Sequence, residues 1–216
     1  MSPAPFPLDV SAAALVVVDL QNDFVRMGAP QEVPDARNTL PAVRSLVDAC
    51  REAGRPVVFT RYTAGPEPTP QTWFSPECAP PLRSCWPGVR RSYEDRAEPL
   101  AGHDVVDELT PRADETIIDK YGYGSFHNTC LEDLLRASKI RQVWIVGTVT
   151  QICVEETVRE GFRRGFEMVV ASDGVSSFDS EMHRSTLRNL AHKFAVVTDT
   201  AALHEATQSR VAVAPC

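Results

Sequence analysis

Asp19, Lys120 and Cys153 are residue types whose chemistries complement one another, and the chain sets each at the close of an apolar run. Asp19 ends "ALVVVD", Lys120 follows "ETIID", and Cys153 comes just past "VWIVG", within "GTVTQICVEETVREGF" (147–162). A cysteine is mostly thiol near neutral pH, with an ordinary pKa of about 8.5. A helix N-terminus and a nearby ammonium both favour the thiolate, so the position of Cys153 and the charge of Lys120 push together. Asp19 could take the thiol proton and later return it to a leaving amine. Backbone N–H groups at the start of the Cys153 helix could hold a developing oxyanion. The set suits acyl transfer from a carbonyl carbon to sulfur, followed by hydrolysis. Each member also has a plainer role: a strand-end cap, a solvated charge, a packed thiol. On these residues alone both readings stay open.

Positioning three side chains at one edge is a task for parallel strands, because ligands of open parallel sheets bind outside the strands' carboxyl ends. Four short runs are almost wholly apolar: "ALVVVD" (14–19), "PVVFT" (56–60), "VWIVG" (143–147) and "MVVAS" (168–172). They lack the alternation of a half-exposed strand and suit strands buried on both faces. "ETIID" (115–119) and "FAVVTD" (194–199) make two more. Helical patterns lie between them. Leu40, Val43, Val47 and Cys50 form one stripe, and Val154, Val158 and Phe162 another. Met182, Leu187, Leu190 and Ala191 mark a further helix, and Thr129 with Glu132 matches a capping box before Leu131, Leu134 and Leu135. The expected fold is α/β: a three-layer αβα sandwich around a mainly parallel, six-stranded sheet, in a single domain over 1–216.

One stretch departs from this pattern. Residues 63–100 hold eight of the 17 prolines, with Trp73, Phe74, Trp86 and Tyr93, too proline-rich for a long helix or central strand. It reads equally as a surface excursion or as a rim supplying aromatic walls or an oligomer contact.

Composition narrows the partners. A formal net charge of -7 without any Lys/Arg-rich block argues against nucleic acid. No apolar run approaches bilayer-spanning length, so no membrane association is expected. "MSPAPFPLDV" has neither a basic n-region nor an apolar h-region, which makes the cytoplasm the expected compartment. The six cysteines show no CxxC pair and no zinc spacing, which fits free thiols in a reducing environment.

At these residues the chain resembles the isochorismatase-like cysteine hydrolases, a family that includes nicotinamidase, N-carbamoylsarcosine amidase, and the biuret and ureidoacrylate amidohydrolases. The segments that carry the resemblance are "ALVVVDLQNDFV" (14–25), "IIDKYGYGSFHNT" (117–129) and "VGTVTQICVEETVREGFRRGFEMVVASDGVSSF" (146–178), spread along the whole chain. The resemblance implies Asp19 as acid/base, Lys120 as the triad lysine and Cys153 as nucleophile. It also implies a cis peptide between Thr148 and Val149, aiming the Val149 and Cys153 N–H groups into an oxyanion hole. Phe24 matches a pocket-wall aromatic, Gln21 lies near it, and Trp73, Tyr123 and Phe126 are candidate walls. Arg61 or an arginine of 63–100 could meet a substrate carboxylate, though a solvated surface role fits each as well.

Departures from the family narrow the activity further. Where nicotinamidases carry metal-binding Asp-x-His, this chain has Tyr62 and Ala64, and none of its five histidines falls between residues 60 and 100. No metal or other cofactor is therefore expected. Isochorismatases cleave a vinyl ether and some lack the cysteine, so Cys153 points to a C–N bond instead. The expectation is an amidohydrolase for a small amide, carbamoyl or ureido compound, in a homodimer or homotetramer. Vinyl-ether hydrolysis and a catalytically silent binding protein are the alternatives.

Overall fold

The structure is a computed structural model and describes residues 4–67 and 69–208; Cys216 lies outside them. The chain runs β1 (Ala13–Val18), α1 (Asn22–Val25), α2 (Pro34–Glu52), β2 (Val57–Tyr62), β3 (Arg90–Arg91), β4 (Leu100–Ala101) and β5 (Thr116–Lys120). It continues through α3 (Leu131–Ala137), β6 (Gln142–Thr148), α4 (Glu155–Arg163), β7 (Glu167–Ser176), α5 (Ser180–Lys193), β8 (Val196–Thr198) and α6 (Thr200–Gln208). Six strands form one parallel sheet in the order β5-β2-β1-β6-β7-β8. All six expected strands are present, as is the expected layering.

Alternation along the central strands splits the core in two. Leu15 and Val17 of β1, with Trp144 and Val146 of β6, face one layer, into which Val43, Leu46 and Val47 of α2 and Leu203 of α6 pack. Val16 and Val18, with Val143 and Ile145, face the other, against Leu131 and Leu135 of α3, Val158 of α4 and Leu190 of α5. Every residue of β1 and β6 is buried, so alternation of polarity vanishes from their sequences. Each fully buried valine or leucine stabilises the fold by about 1.5–3 kcal/mol relative to exposure.

The topology fixes where a site can form. The chain builds outward from β1 to β5 and then returns to lay β6 on the other side of β1, so the order reverses between β1 and β6. A crevice opens beyond the strand ends at such a switch point. Gly147 lets it close tightly: it adopts φ +124°, and a Cβ there would lie 2.0 Å from the Val18 carbonyl oxygen. Only glycine combines that backbone angle with that approach.

The proline-rich stretch, described except at residue 68, forms two short 3₁₀ turns, Pro70–Trp73 and Pro76–Cys78, and the antiparallel β3–β4 pair. Buried Asp23 of α1 pins it. The Asp23 carboxylate accepts from the Cys85 N–H at 2.7 Å and the Tyr93 hydroxyl at 2.6 Å, and pairs with Arg91 at 2.8 Å. A second node fastens the end of α1. Buried Arg26 donates to both Glu108 carboxylate oxygens at 2.7 Å and also pairs with Asp107.

Burial alone would raise the Glu108 carboxyl, but the Arg26 and Arg96 guanidiniums outweigh it and hold the pKa at about 2, below the ordinary 4.5. The native state therefore favours the ionised carboxylate. The stabilisation from Glu108 is complete above about pH 4.5 and is lost as pH falls through about 2. Glu108→Gln should lower the thermal midpoint near neutral pH, with the gap to wild type closing toward about pH 2. Circular dichroism melts of both proteins across that range check this; a gap independent of pH would detach Glu108 from the acid response.

Three helix details differ from expectation. In α5 Leu190 is buried and Leu187 packs against the core as expected, but Met182 and Ala191 are exposed and Thr186 is buried, its hydroxyl donating to Glu155 at 3.2 Å. Phe162 is 45% exposed although Val154 and Val158 are buried as the stripe requires. At α3 the Thr129 hydroxyl accepts from the Leu131 N–H at 3.2 Å, but Glu132 turns away to Arg164 and Arg136, so the reciprocal half of a capping box is replaced by ion pairs.

Candidate active site

Asp19, the first residue after β1, turns the chain at φ 51°, a conformation aspartate tolerates better than most side chains. It is completely buried. Its Oδ1 accepts from the Thr60 hydroxyl of neighbouring β2 at 2.7 Å. Its Oδ2 lies 2.7 Å from Lys120 Nζ. That contact joins two fully buried, oppositely charged groups as an ion pair, and the Cys153 thiol is close enough to both that each shifts its pKa.

Lys120, the last residue of β5, reaches this point from two strands away, beneath β2. Its ammonium also donates to the carbonyls of Gly122 at 3.0 Å and Tyr123 at 2.7 Å. Burial opposes the charge, but the Asp19 carboxylate and the Cys153 sulfur outweigh it and keep the Lys120 pKa above its ordinary value. The cation is fixed and its charge is largely spent on Asp19.

Cys153 sits in a single π-helical turn, Thr150–Val154, that joins β6 to α4. The Val149 carbonyl accepts from the Val154 N–H, five residues on, at 3.2 Å. Such wide turns occur mostly as one-turn insertions, frequently at functional sites. The peptide between Thr148 and Val149 is cis. The Thr150 hydroxyl ties the turn to α5 and β7, 2.9 Å from His183 Nδ1 and 2.9 Å from the Ser176 carbonyl to which it donates.

The acidity expected of Cys153 is reversed. Burial pushes its thiol up, Lys120 pulls it down, and the Asp19 carboxylate adds to the upward side, so the net direction is well above the ordinary value. Helix N-terminus and lysine do not prevail because burial of the thiol outweighs the pull of Lys120, and the Asp19 carboxylate adds to the upward push. The resting group is a thiol beside a carboxylate. Nor does acidity single it out, for buried Cys50 and Cys78 are also pushed up, to about 12 and about 11.

The thiol lies in the wall of a cavity of about 320 Å³. Phe24, Tyr123, Val149 and Cys153 line it, as expected; Ile152, Phe178, Pro30, Gln31, Glu32 and Val33 complete the protein-core side. Phe74, Ser75 and Glu77 come from the proline-rich stretch, which therefore serves as a rim. The remaining candidates lie elsewhere. Trp73, 77% exposed, does not line the cavity, and its neighbour Phe74, itself mostly exposed, stands at the open rim. Gln21 is buried and clamps the Tyr62 backbone, donating to its carbonyl at 3.0 Å and accepting from its N–H at 2.7 Å. Phe126 packs in the second core layer against Phe166. Arg61 is held by Asp119 at 2.7 Å and Asp104 at 3.2 Å. A larger depression of about 470 Å³ along α5, around Leu187, offers only Glu181, Arg184 and Arg188 as polar groups.

Among the described residues no three His, Cys, Asp or Glu side chains gather as a metal ion would require. The positions of Tyr62 and Ala64 are both buried, and nearby His103 meets the Thr63 hydroxyl at 2.8 Å. No helix among the described residues is long and apolar enough to cross a membrane.

Fold and site together define a hydrolytic enzyme of the α/β class, with its polar groups assembled at the switch point of a doubly wound sheet. The isochorismatase domain matches residues 13–202, and the chain belongs to the isochorismatase family. It is 29% identical to a nicotinamidase of Arabidopsis thaliana over 189 residues, covering 87% of this chain and 84% of that one. It is 30% identical to a ureidoacrylate amidohydrolase of Methylobacterium radiotolerans over 220 residues, covering 94% and 83%. The crystal structure of a cysteine hydrolase from Pseudomonas syringae pv. phaseolicola superposes with a TM-score of 0.82 at 25% identity, covering 96% of this chain and 99% of that one. Relatives on both sides are thus hydrolases, and the curated ones are amidohydrolases acting on C–N bonds.

Proposed function

We propose that the protein is a cysteine amidohydrolase that cleaves the C–N bond of a small amide, carbamoyl or ureido compound without a metal. The observation that carries this reading is the buried Asp19–Lys120 pair at 2.7 Å beside the cavity-wall thiol of Cys153. The Cys153 proton passes to Asp19 Oδ2 as sulfur bonds to the substrate carbonyl carbon, whose oxygen takes up the electron pair. N–H groups at the start of a helix lack partners within it, and those of Val149 and Cys153 hold this oxyanion. Asp19 returns the proton to nitrogen as the C–N bond breaks, releasing ammonia or an amine and leaving a thioester. A water then attacks the thioester while Asp19 takes its proton. Collapse expels the sulfur, which recovers that proton, and the acid product leaves. Lys120 holds Asp19 in place, and it offsets negative charge on sulfur during attack. The enzyme acts in the cytoplasm as a dimer or tetramer.

Ammonia release from a panel of small amides, carbamoyl amino acids and ureides tests the reading, with Asp19→Asn as the control for mechanism. The variant should turn over about 10²–10⁴-fold more slowly, the usual worth of a positioned acid/base. Its Cys153 should nevertheless alkylate faster near neutral pH, because the carboxylate that raises the thiol pKa is gone while Lys120 remains. Peptide-resolved mass spectrometry separates Cys153 from exposed Cys130. Turnover at the wild-type rate in Asp19→Asn would remove Asp19 from the mechanism.

A further inference from the structure

The charge of the cavity wall says what kind of molecule fits it. Two carboxylates line the cavity, Glu32 and Glu77. Glu32 is neutralised from behind by Arg37 at 2.7 Å and also accepts from the Gly28 N–H at 2.9 Å. Half-buried Glu77 makes no side-chain hydrogen bond or ion pair among the described residues. None of the wall residues is Lys, Arg or His. Lys120 is held by Asp19 and two carbonyls. Of the arginines that could have met an anion, Arg61 pairs with Asp119 and Asp104, Arg91 with Asp23 and Arg96 with Glu108, Arg90 donates to the Pro99 carbonyl, and exposed Arg83 lies over the Trp86 ring. The wall therefore carries one uncompensated negative charge.

The apolar surface around that charge points the same way. Phe24 and Tyr123 line the cavity, and the more exposed Phe74 and Phe178 stand at its open rim. Aromatic faces attract cations through the ring quadrupole, and recognition of alkylammonium groups by aromatic walls with a nearby carboxylate is a recurrent solution. An anion would meet the reverse: apolar ring faces, a like charge, and no partner to replace its lost hydration.

We propose that Glu77 is a specificity determinant, and that the cavity selects amides whose non-reacting end is an ammonium or amidinium group while rejecting those that end in a carboxylate. This deepens the amidohydrolase reading and rests on it for the reacting group, but its own support is the charge of the wall. Cation and anion of equal size are separated by the sign of one interaction, so the preference transfers to any amide short enough for a cavity of about 320 Å³.

The test is the binding of ω-aminovaleramide, ω-hydroxyvaleramide and glutaramate, three primary amides of equal chain length with cationic, neutral and anionic ends. Titration calorimetry on Cys153→Ala measures binding without turnover. The cationic amide should bind at least about tenfold more tightly than glutaramate, with the neutral one between. Adding Glu77→Gln should flatten the series, and Glu77→Lys should invert it. Equal or tighter binding of glutaramate, a preference unmoved by Glu77→Gln, or no binding of any of the three would overturn the proposal. Ammonia release by the wild type is read separately. A cation preference in binding with no release from any amide would sink the amidohydrolase reading alone; release favouring glutaramate would sink this one alone.

Discussion

Cys153→Ala should abolish ammonia release while the protein stays folded. The substitution removes the atom that bonds to the carbonyl carbon, and no other thiol lines the cavity: the other wall residues are aromatic, aliphatic, amide or carboxylate, with hydroxyls only on Ser75 and Tyr123. Loss of a nucleophile that works as a unit with its base costs about 10⁴–10⁶ in kcat. The stability cost is small by comparison. Cys153 lies at the cavity wall, where loss of a sulfur enlarges an existing space, and truncations of that size cost about 1 kcal/mol. Release at a rate above about one hundredth of wild type, with melting unchanged, would exclude sulfur as the attacking atom and shift the chemistry to water activated by Asp19. Ether hydrolysis is distinguished in the same experiment, because a reaction that needs no thioester would survive the loss of the thiol.

The parts of this molecule legible in its sequence are those set by burial on both faces. The central strands announce themselves because β1 and β6 have no exposed position at which a polar residue could stand. The three polar groups are legible for the related reason that Asp19, Lys120 and Cys153 interrupt or end such runs, where an ionisable group needs a partner. The rim is illegible. In a proline-rich stretch of 3₁₀ turns successive side chains diverge by about a third of a turn, and nothing in "QTWFSPEC" says whether Trp73 or Phe74 stands at the cavity rim. The two-residue strands β3 and β4 are too short to carry any periodic signal. Gln21 was drawn toward the cavity by its place beside Phe24, but its amide satisfies both backbone groups of Tyr62, a cross-strand clamp that sequence spacing does not reveal. Thiol acidity is illegible for a different reason. Lys120 and Asp19 are both visible, but the burial of Cys153, which outweighs the lysine, depends on the packing around it.

Lys120→Met should therefore damage folding and chemistry together, and in separable ways. The ammonium is fully buried and meets a fully buried carboxylate. Removing it strands Asp19 as an uncompensated charge with only the Thr60 hydroxyl and its own backbone turn to support it. Breaking a buried pair from one side costs about 3–5 kcal/mol, whereas replacing both partners by neutral groups of similar shape costs far less or nothing. Chemical denaturation should accordingly rank wild type and the double variant Asp19→Asn/Lys120→Met close together, with Lys120→Met alone well below. Turnover should follow a different order. Without the ammonium the Cys153 thiol loses the cation that pulls its pKa down, and Asp19 loses the contact that holds it in place, so Lys120→Met should be inactive, as should the double variant, which lacks the acid/base as well. The role of Lys120 is therefore read from Lys120→Met alone, assayed under conditions where it is fully folded. Turnover near the wild-type rate would reduce the lysine to a structural counter-ion, whereas loss of turnover in the folded variant shows that it does more than hold the fold.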